Sequence, residues 1–127
     1  MSVVWSDSYK IGDSAIDAQH AELFRRTNLF LDASDSASMA EYAIQLYKYT
    51  RSHFAHEEEL MLGIGYPDYE SHKQQHEDLV TRLEVISSGI STMSVKKAEF
   101  EEFAVFWLLT HIVKCDTKLS DYIKART

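Results

Sequence analysis

Apolar residues recur at intervals of three and four along most of the chain, a pattern that is typical of amphipathic helices packed around a shared core. It predicts four helices: one from Ile16, one that begins at a cap formed by Ser38, one from about Asp68 to Ser88, and one through residues 100–111. The connections between them are too short for crossovers, so neighbouring helices should be antiparallel. We therefore expect an all-α fold, namely an up-down-up-down antiparallel four-helix bundle.

The predicted ends of these helices coincide with polar or helix-breaking residues. These are residues 32–38, then Gly63, Gly65 and Pro67, then Gly89 with residues 91–94. Glu41 lies three residues after Ser38, the spacing of a capping box. Residues 1–15 contain aromatic side chains without a helical period, so we expect an irregular N-terminal arm that packs against the bundle.

Length and composition narrow the class of protein. A chain of 127 residues fits a single domain spanning residues 1–127. The net charge is -7 with no basic run, so nucleic acid is not an expected partner. Cys115 is the only cysteine and cannot form an internal disulfide, and residues 1–20 do not resemble a secretory signal. With no apolar run near the roughly 20 residues of a membrane span, we expect no membrane insertion and a cytoplasmic location.

Five of the six histidines fall into one pattern with a glutamate and an aspartate. Most of these residues lie on the apolar stripes, where unpaired charges and imidazoles would be costly to bury. His53 with Glu57, and His72 with His76, are four residues apart, so each pair can point at one centre. The predicted metal ligands are His20, His53, Glu57, His72, His76, His111 and Asp116.

His111 and Asp116 need a different local structure. Five residues advance about 500° around a helix, which leaves the two side chains about 140° apart. A continuous helix could not direct both inward. We therefore predict that the fourth helix ends or distorts between them, and that Asp116 lies at or near the start of a short C-terminal helix containing Leu119, Tyr122 and Ile123.

Five imidazoles and two carboxylates are too many ligands for one tetrahedral zinc ion, and they suit two metal ions. Nitrogen-rich coordination with bridging carboxylates fits iron, although the spacing alone leaves manganese open. Carboxylate-richer bundles that activate oxygen carry Glu-x-x-His motifs at their ligand positions. That motif is absent from the ligand positions of this chain, which argues against an oxidase of that type.

Four segments carry a resemblance to a known family. The segments WSDSYKIGDSAIDAQH, HFAHEEELM, HKQQH and HIVKCD, which start at Trp5, His53, His72 and His111, resemble the hemerythrin family, particularly its bacterial members. The resemblance covers essentially the whole chain. It implies that His72, His76 and His111 hold one iron, that His20 and His53 hold the other, and that an oxo or hydroxo group, Glu57 and Asp116 bridge the two.

The same resemblance implies an open coordination site for dioxygen on the two-histidine iron. The side chains that match the expected apolar wall of this oxygen pocket are Leu23, Phe54, Trp107, Leu108 and Ile112. An apolar wall of this kind limits the entry of water and protons. His56, Glu58 and Glu59 are expected to face the surface instead.

The function implied by the resemblance is reversible dioxygen binding at a non-haem di-iron centre, as an oxygen carrier, store or local supplier without enzymatic turnover. An oxygen- or redox-sensing module is the first alternative. A di-iron enzyme acting on peroxide or nitric oxide ranks lower, because no further acid or base lies on the pocket stripe. We expect a monomer, and an oxygen-consuming protein would be a natural recipient of the oxygen.

Overall fold

The fold is known from a computed structural model. The model describes residues 3–91, 97–107, 111 and 116–126. Within these ranges, the side chains that it does not describe are those at positions 36, 86, 90, 91, 97, 107, 117 and 126. A short 3₁₀ turn, Asp7–Tyr9, lies in the N-terminal arm. The helices are α1 (Ser14–Asp32), α2 (Ser36–Ile64), α3 (Tyr69–Ser91), α4 (Lys97–Trp107) and α5 (Asp116–Arg126).

Aspartates cap the first two helices. The Asp13 side chain accepts a hydrogen bond from the backbone N–H of Ile16 at 3.0 Å, which satisfies one of the free donors at the start of α1. At the start of α2, Asp35 accepts from the backbone N–H of Ser38 at 2.8 Å. The prediction that Ser38 caps α2 is therefore wrong: the carboxylate three residues earlier takes that role, and Ser38 lies inside the first turn.

Two of the three glycines predicted to break helices lie within them. Gly63 is inside α2 and Gly89 is inside α3, where the surrounding helix overrides the weak helical propensity of glycine. Gly65 does end α2, because it adopts a left-handed conformation with φ of 68° and its backbone N–H bonds the Leu62 carbonyl.

Contacts between neighbouring helices establish the antiparallel order. Between α1 and α2, residue 20 contacts residue 57 and residue 26 contacts residue 49. Between α2 and α3, residue 58 contacts residue 76 and residue 43 contacts residue 87. Residue 82 of α3 contacts residue 103 of α4, and residue 76 of α3 contacts residue 111, which follows α4. Each pair runs in opposite directions along the two helices, so the predicted up-down-up-down bundle is confirmed.

The N-terminal arm is attached to α1. Asn28 both accepts a hydrogen bond from the backbone of Val3 and donates one back, each at 2.8 Å, and buried Asp17 accepts from the backbone of Ile11 at 2.7 Å. Trp5 packs edge-on against Phe24, with ring centroids 5.5 Å apart. The predicted irregular, aromatic arm is therefore confirmed.

The buried apolar side chains form two clusters, one on each side of the histidines. The upper cluster contains Val3, Leu23, Phe24, Phe30, Leu31, Ala43, Leu46, Phe54, Leu83, Phe100, Phe103 and Ala104. The lower cluster contains Ile11, Ile16, Met61, Tyr66 and Leu119. The lower cluster joins α5 to the ends of α1 and α2, and so fixes the start of α5 beneath the bundle.

The predicted short C-terminal helix is confirmed, because α5 begins at Asp116. The helical distortion expected just before it falls on residues 112–115, which lie outside the described residues. None of the helices in the described part of the chain is both long and apolar enough to cross a membrane.

Candidate metal centre

The structure brings all seven predicted ligand residues together in the bundle interior. His20 comes from α1, His53 and Glu57 from α2, His72 and His76 from α3, and Asp116 from the first residue of α5, with His111 between α4 and α5. None of the seven is more than 4% exposed. Residues distant in sequence therefore meet in one dry, polar cluster between the two apolar ones.

Three histidines surround one side of the carboxylates. Nε2 of His72 lies 2.8 Å from Oε1 of Glu57 and 3.1 Å from Oδ1 of Asp116. Nε2 of His76 lies 3.2 Å from the same Glu57 oxygen, and Nε2 of His111 lies 3.2 Å from the same Asp116 oxygen. Nε2 of His76 and Nε2 of His111 are only 3.1 Å apart. The three imidazoles thus converge on a single small volume.

The other two histidines face the second oxygen of each carboxylate. Nε2 of His20 lies 3.3 Å from Oε2 of Glu57 and 3.1 Å from Oδ2 of Asp116, and Nε2 of His53 lies 3.3 Å from the same Glu57 oxygen. Glu57 and Asp116 therefore each present one oxygen to the three-histidine set and the other to the two-histidine set. This is the arrangement required of carboxylates that bridge two cations.

The polar atoms of the cluster are better placed to coordinate a pair of metal ions than to hydrogen-bond with one another. Several buried atoms of the cluster lie within 3.3 Å of one another but not at hydrogen-bond angles, so they have no hydrogen-bond partner in the described part of the chain: Oε1 of Glu57, both Asp116 oxygens, and Nε2 of His53 and of His72. Such atoms are costly unless something satisfies them. Ligand atoms of Glu57, His72, His76 and His111 lie within 4.8 Å of one another, as do those of His20, His53 and Glu57. Imidazole nitrogens and carboxylate oxygens are suitable ligands for iron.

Without metal, protons on the surrounding imidazoles supply positive charge to the carboxylates. Burial disfavours the charged form of His20, but the nearby carboxylates of Asp116 and Glu57 outweigh it and raise the pKa of His20 to about 10. The same competition raises the pKa of His72 to about 9. For Glu57, burial favours the neutral acid, yet hydrogen bonds from the surrounding imidazoles hold its pKa well below the usual range. The two buried carboxylates therefore strongly favour positive charge in the site.

Two predicted oxygen-pocket residues, Leu23 and Phe54, are buried beside the cluster. The ring of Phe54 stacks on His76 with centroids 3.8 Å apart and an interplanar angle of 3°. Leu23 is fully buried one turn along α1 from His20. The Trp107 side chain, Leu108 and Ile112 lie outside the described residues.

Two residues that contact the ligands were not predicted from the sequence. Gln19 accepts a hydrogen bond from Nδ1 of His53 at 2.8 Å, and a Glu58 oxygen lies 3.4 Å from Nδ1 of His76. Glu58 was predicted to be a surface charge rather than a ligand; its side chain is 21% exposed and contacts the outer ring nitrogen of His76. His56 is exposed as predicted, and it bonds Gln19. Gln19 precedes His20 in the sequence, but only the packing of α1 on α2 reveals its contact with His53.

Comparison with known proteins agrees with this cluster. The family model described as the hemerythrin HHE cation binding domain matches residues 12–123. A bacteriohemerythrin from Stenotrophomonas maltophilia (strain R551-3) is 33% identical over 126 residues, covering 97% of this chain and 82% of the relative. A myohemerythrin from Theromyzon tessulatum is 32% identical over 114 residues, covering 90% of this chain and 88% of the relative. A second myohemerythrin, from Sipunculus nudus, is 29% identical over 115 residues, covering 91% of this chain and 88% of the relative.

Proposed function

The chain belongs to the hemerythrin family, and on that basis we propose that it binds dioxygen reversibly at a non-haem di-iron centre and acts as an oxygen carrier, store or local supplier. Members of this family bind two iron ions and carry oxygen, and the predicted family, fold and cofactor are all confirmed at that level. The role in carriage or storage, and the absence of enzymatic turnover, are part of the proposal.

One observation supports the proposal most strongly: Glu57 and Asp116 each present one oxygen to each histidine set. In our assignment His72, His76 and His111 would hold one iron, His20 and His53 would hold the other, and Glu57 and Asp116 would be shared between the two. The two-histidine set supplies one protein ligand fewer, so this iron would offer the position for dioxygen.

The surroundings suit a carrier more than a turnover enzyme. A pair of ferrous ions supplies the electrons that make dioxygen binding possible, and the protein must let the oxygen leave unchanged. Phe54 stacks on His76, and Leu23 is buried one turn along α1 from His20, so these apolar side chains would keep water and protons away from oxygen bound at the centre. A sensor with the same centre remains the main alternative. A single domain, a monomeric state, a cytoplasmic location and delivery to an oxygen-consuming protein belong to the same proposal.

The experiment that tests the function starts with reduced protein prepared without air. Iron per chain is counted, and the visible spectrum is followed through repeated cycles of oxygenation and oxygen removal. We expect two irons per chain and a spectrum that returns to its starting state in each cycle. One metal ion per chain, or oxygen consumption without recovery of the spectrum, would contradict the proposal.

The ligand assignment is tested by His76→Ala with Glu77→Ala as its matched control. His76 is buried in the cluster, whereas Glu77 is the next residue of α3 and is exposed. We expect His76→Ala to lose iron and to unfold more readily, because metal binding and folding are coupled. Glu77→Ala should keep two irons. A His76→Ala protein with full iron content and reversible oxygenation would overturn the assignment.

A further inference from the structure

The outer ring nitrogens of two cluster histidines have unlike partners. In both His53 and His76, Nε2 faces Glu57 and Nδ1 points away from it. Nδ1 of His53 lies 2.8 Å from the amide oxygen of Gln19, whereas Nδ1 of His76 lies 3.4 Å from a carboxylate oxygen of Glu58. One imidazole is thus backed by a neutral amide and the other by an anion.

His56 fixes the orientation of the Gln19 amide. The amide nitrogen of Gln19 lies 2.7 Å from Nδ1 of His56, and an amide nitrogen can only donate, so the His56 nitrogen accepts. The amide oxygen must then face His53. Because that oxygen can only accept, Nδ1 of His53 carries the hydrogen and its Nε2 presents a lone pair to the cluster. The chain His56, Gln19, His53 therefore selects the tautomer that can bind a metal ion.

Glu58 acts on His76 through charge as well as orientation. A carboxylate that accepts from the outer N–H of a ligating imidazole increases the basicity of that imidazole, so it becomes a stronger donor to a cation. The effect is larger for a trivalent than for a divalent ion. A neutral amide fixes the ring but contributes much less charge. Glu58 is mostly shielded from solvent, with 21% of its side chain exposed, so water only partly screens its charge.

We propose that Gln19 and Glu58 are positioning residues that make the two metal positions unequal, an inference that rests on the ligand assignment of the proposed function. Glu58 makes the three-histidine position the tighter one and the one that better stabilises the higher oxidation state. Gln19, held by His56, leaves the two-histidine position weaker and easier to keep reduced. That difference is useful at a position that must release its oxygen.

Exchanging the two partners tests the proposal. Glu58→Gln places an amide behind His76, and Gln19→Glu places a carboxylate behind His53. Glu59→Gln is the matched control, because it removes the same charge from the next residue of α2, which is exposed. Each purified metal-free variant is titrated with cobalt(II), whose visible bands report the two binding steps separately. Far-UV circular dichroism checks that each variant is folded.

We expect Glu58→Gln to weaken the first, tighter cobalt step by about 10-fold to 100-fold, the range found when such supporting partners are removed. Gln19→Glu should strengthen the second step and bring the two affinities closer together. Glu59→Gln should leave both steps within about twofold of the parent protein, because exposed charges are well screened. Equal effects of Glu58→Gln and Glu59→Gln would overturn the proposal.

Reduction potentials of the iron-loaded proteins give a second reading. Glu58→Gln should raise the potential of one iron and Gln19→Glu should lower that of the other, and each tenfold change in relative affinity corresponds to about 59 mV for one electron. Unchanged potentials in both variants would contradict the inference. The ligand assignment is judged separately, because it fails only if His76→Ala retains both metal-binding steps.

Discussion

Glu57 is a fully buried carboxylate whose charge must be compensated within the protein interior. Four imidazoles lie within hydrogen-bonding range of its two oxygens, so the metal-free cluster already attracts protons strongly. The sequence predicted this residue because a glutamate on an apolar stripe, four residues from a histidine, is rarely a surface charge. The prediction rested on the whole set of seven residues, because a single pair at this spacing would be much weaker evidence.

Gln19 and Glu58 could not be predicted in the same way. Each is a polar residue adjacent in sequence to a predicted ligand, which is also true of many surface residues. Their contacts with His53 and His76 depend on the rotation of one helix against the next, and residue periodicity does not determine that rotation. The clustering of the predicted ligand residues followed from their positions on the apolar stripes, whereas the hydrogen bonds to their outer ring nitrogens required the structure.

Leu23→Ala tests the apolar wall at the level of one side chain. Leu23 is fully buried in the upper cluster, so its truncation should leave a cavity and lower the free energy of unfolding by about 2–5 kcal/mol. Iron-loaded Leu23→Ala should also lose its oxygenated spectrum faster, because water reaches the centre more easily. Urea denaturation measures the first effect, and the decay of the visible spectrum in air measures the second.

Leu62→Ala is the matched control for that experiment. Leu62 lies on α2 and is 61% exposed, so the same truncation creates no cavity and should change the free energy of unfolding by less than about 0.5 kcal/mol. If Leu23→Ala oxidised no faster than Leu62→Ala, Leu23 would have no role in shielding the oxygen.

At the scale of whole helices, α2 is the central element of the site. It spans Ser36–Ile64, contacts both α1 and α3, and carries His53, Glu57 and Glu58. The sequence predicted its course from a long apolar stripe, but placed its cap three residues late and treated Gly63 as part of its end. Both differences arise because a capping aspartate and the packing of a long helix outweigh local propensity.

Replacing two glycines near the end of α2 with alanine should change the stability of the protein in opposite directions. Gly65 has φ of 68°, a left-handed conformation that costs other residues about 1–2 kcal/mol, so Gly65→Ala should destabilise the protein by about that amount. Gly63 is helical, and a Cβ there would meet nothing within 4 Å. Gly63→Ala should therefore stabilise the protein by about 0.5–1 kcal/mol.

Thermal and urea denaturation of the two glycine variants, each in the metal-free form, measure this difference. Removing the metal keeps its binding energy from masking a change of this size. A stabilised Gly65→Ala protein would show that α2 does not end at Gly65 as described.

For the molecule as a whole, two apolar clusters enclose one polar layer that joins all the helices carrying ligands. The sequence predicted that these polar residues lie inside the bundle, because they occupy the apolar stripes; the two apolar clusters on either side of them are seen in the structure. The start of a new helix near Asp116 was predicted from one spacing: a continuous helix could not direct both His111 and Asp116, five residues apart, towards the interior. The geometry of the connection between these two residues lies in residues 112–115, outside the described part of the chain.

Because the polar layer joins the whole bundle, its protonation should govern the stability of the metal-free protein. In the folded state the pKa of His20 is raised from 6.5 to about 10 and that of His72 from 6.5 to about 9. A raised histidine pKa stabilises the fold fully below about pH 6.5, and this stabilisation is lost as the pH rises through the folded value. Burial lowers the pKa of His53, so this histidine has the opposite effect on stability. The pKa of His76 is raised, as are those of His20 and His72.

The two carboxylates determine how the free energy of unfolding changes at acid pH. The pKa values of Glu57 and Asp116 are lowered from 4.5 and 3.8 by the surrounding imidazoles despite burial, so their contribution is present above those values and lost as the pH falls further. The free energy of unfolding of the metal-free protein should therefore be largest between about pH 4.5 and 6.5 and should fall towards pH 10.

Urea denaturation across this range, with and without bound metal, measures the effect. Metal ions replace the protons on the histidines, so the loaded protein should keep its stability up to pH 10, and its metal affinity should fall as the pH drops and protons compete. If the metal-free protein instead became more stable between pH 6.5 and 9, the imidazoles would not be the counter-charges of Glu57 and Asp116. The charge balance that we assign to the polar layer would then be wrong.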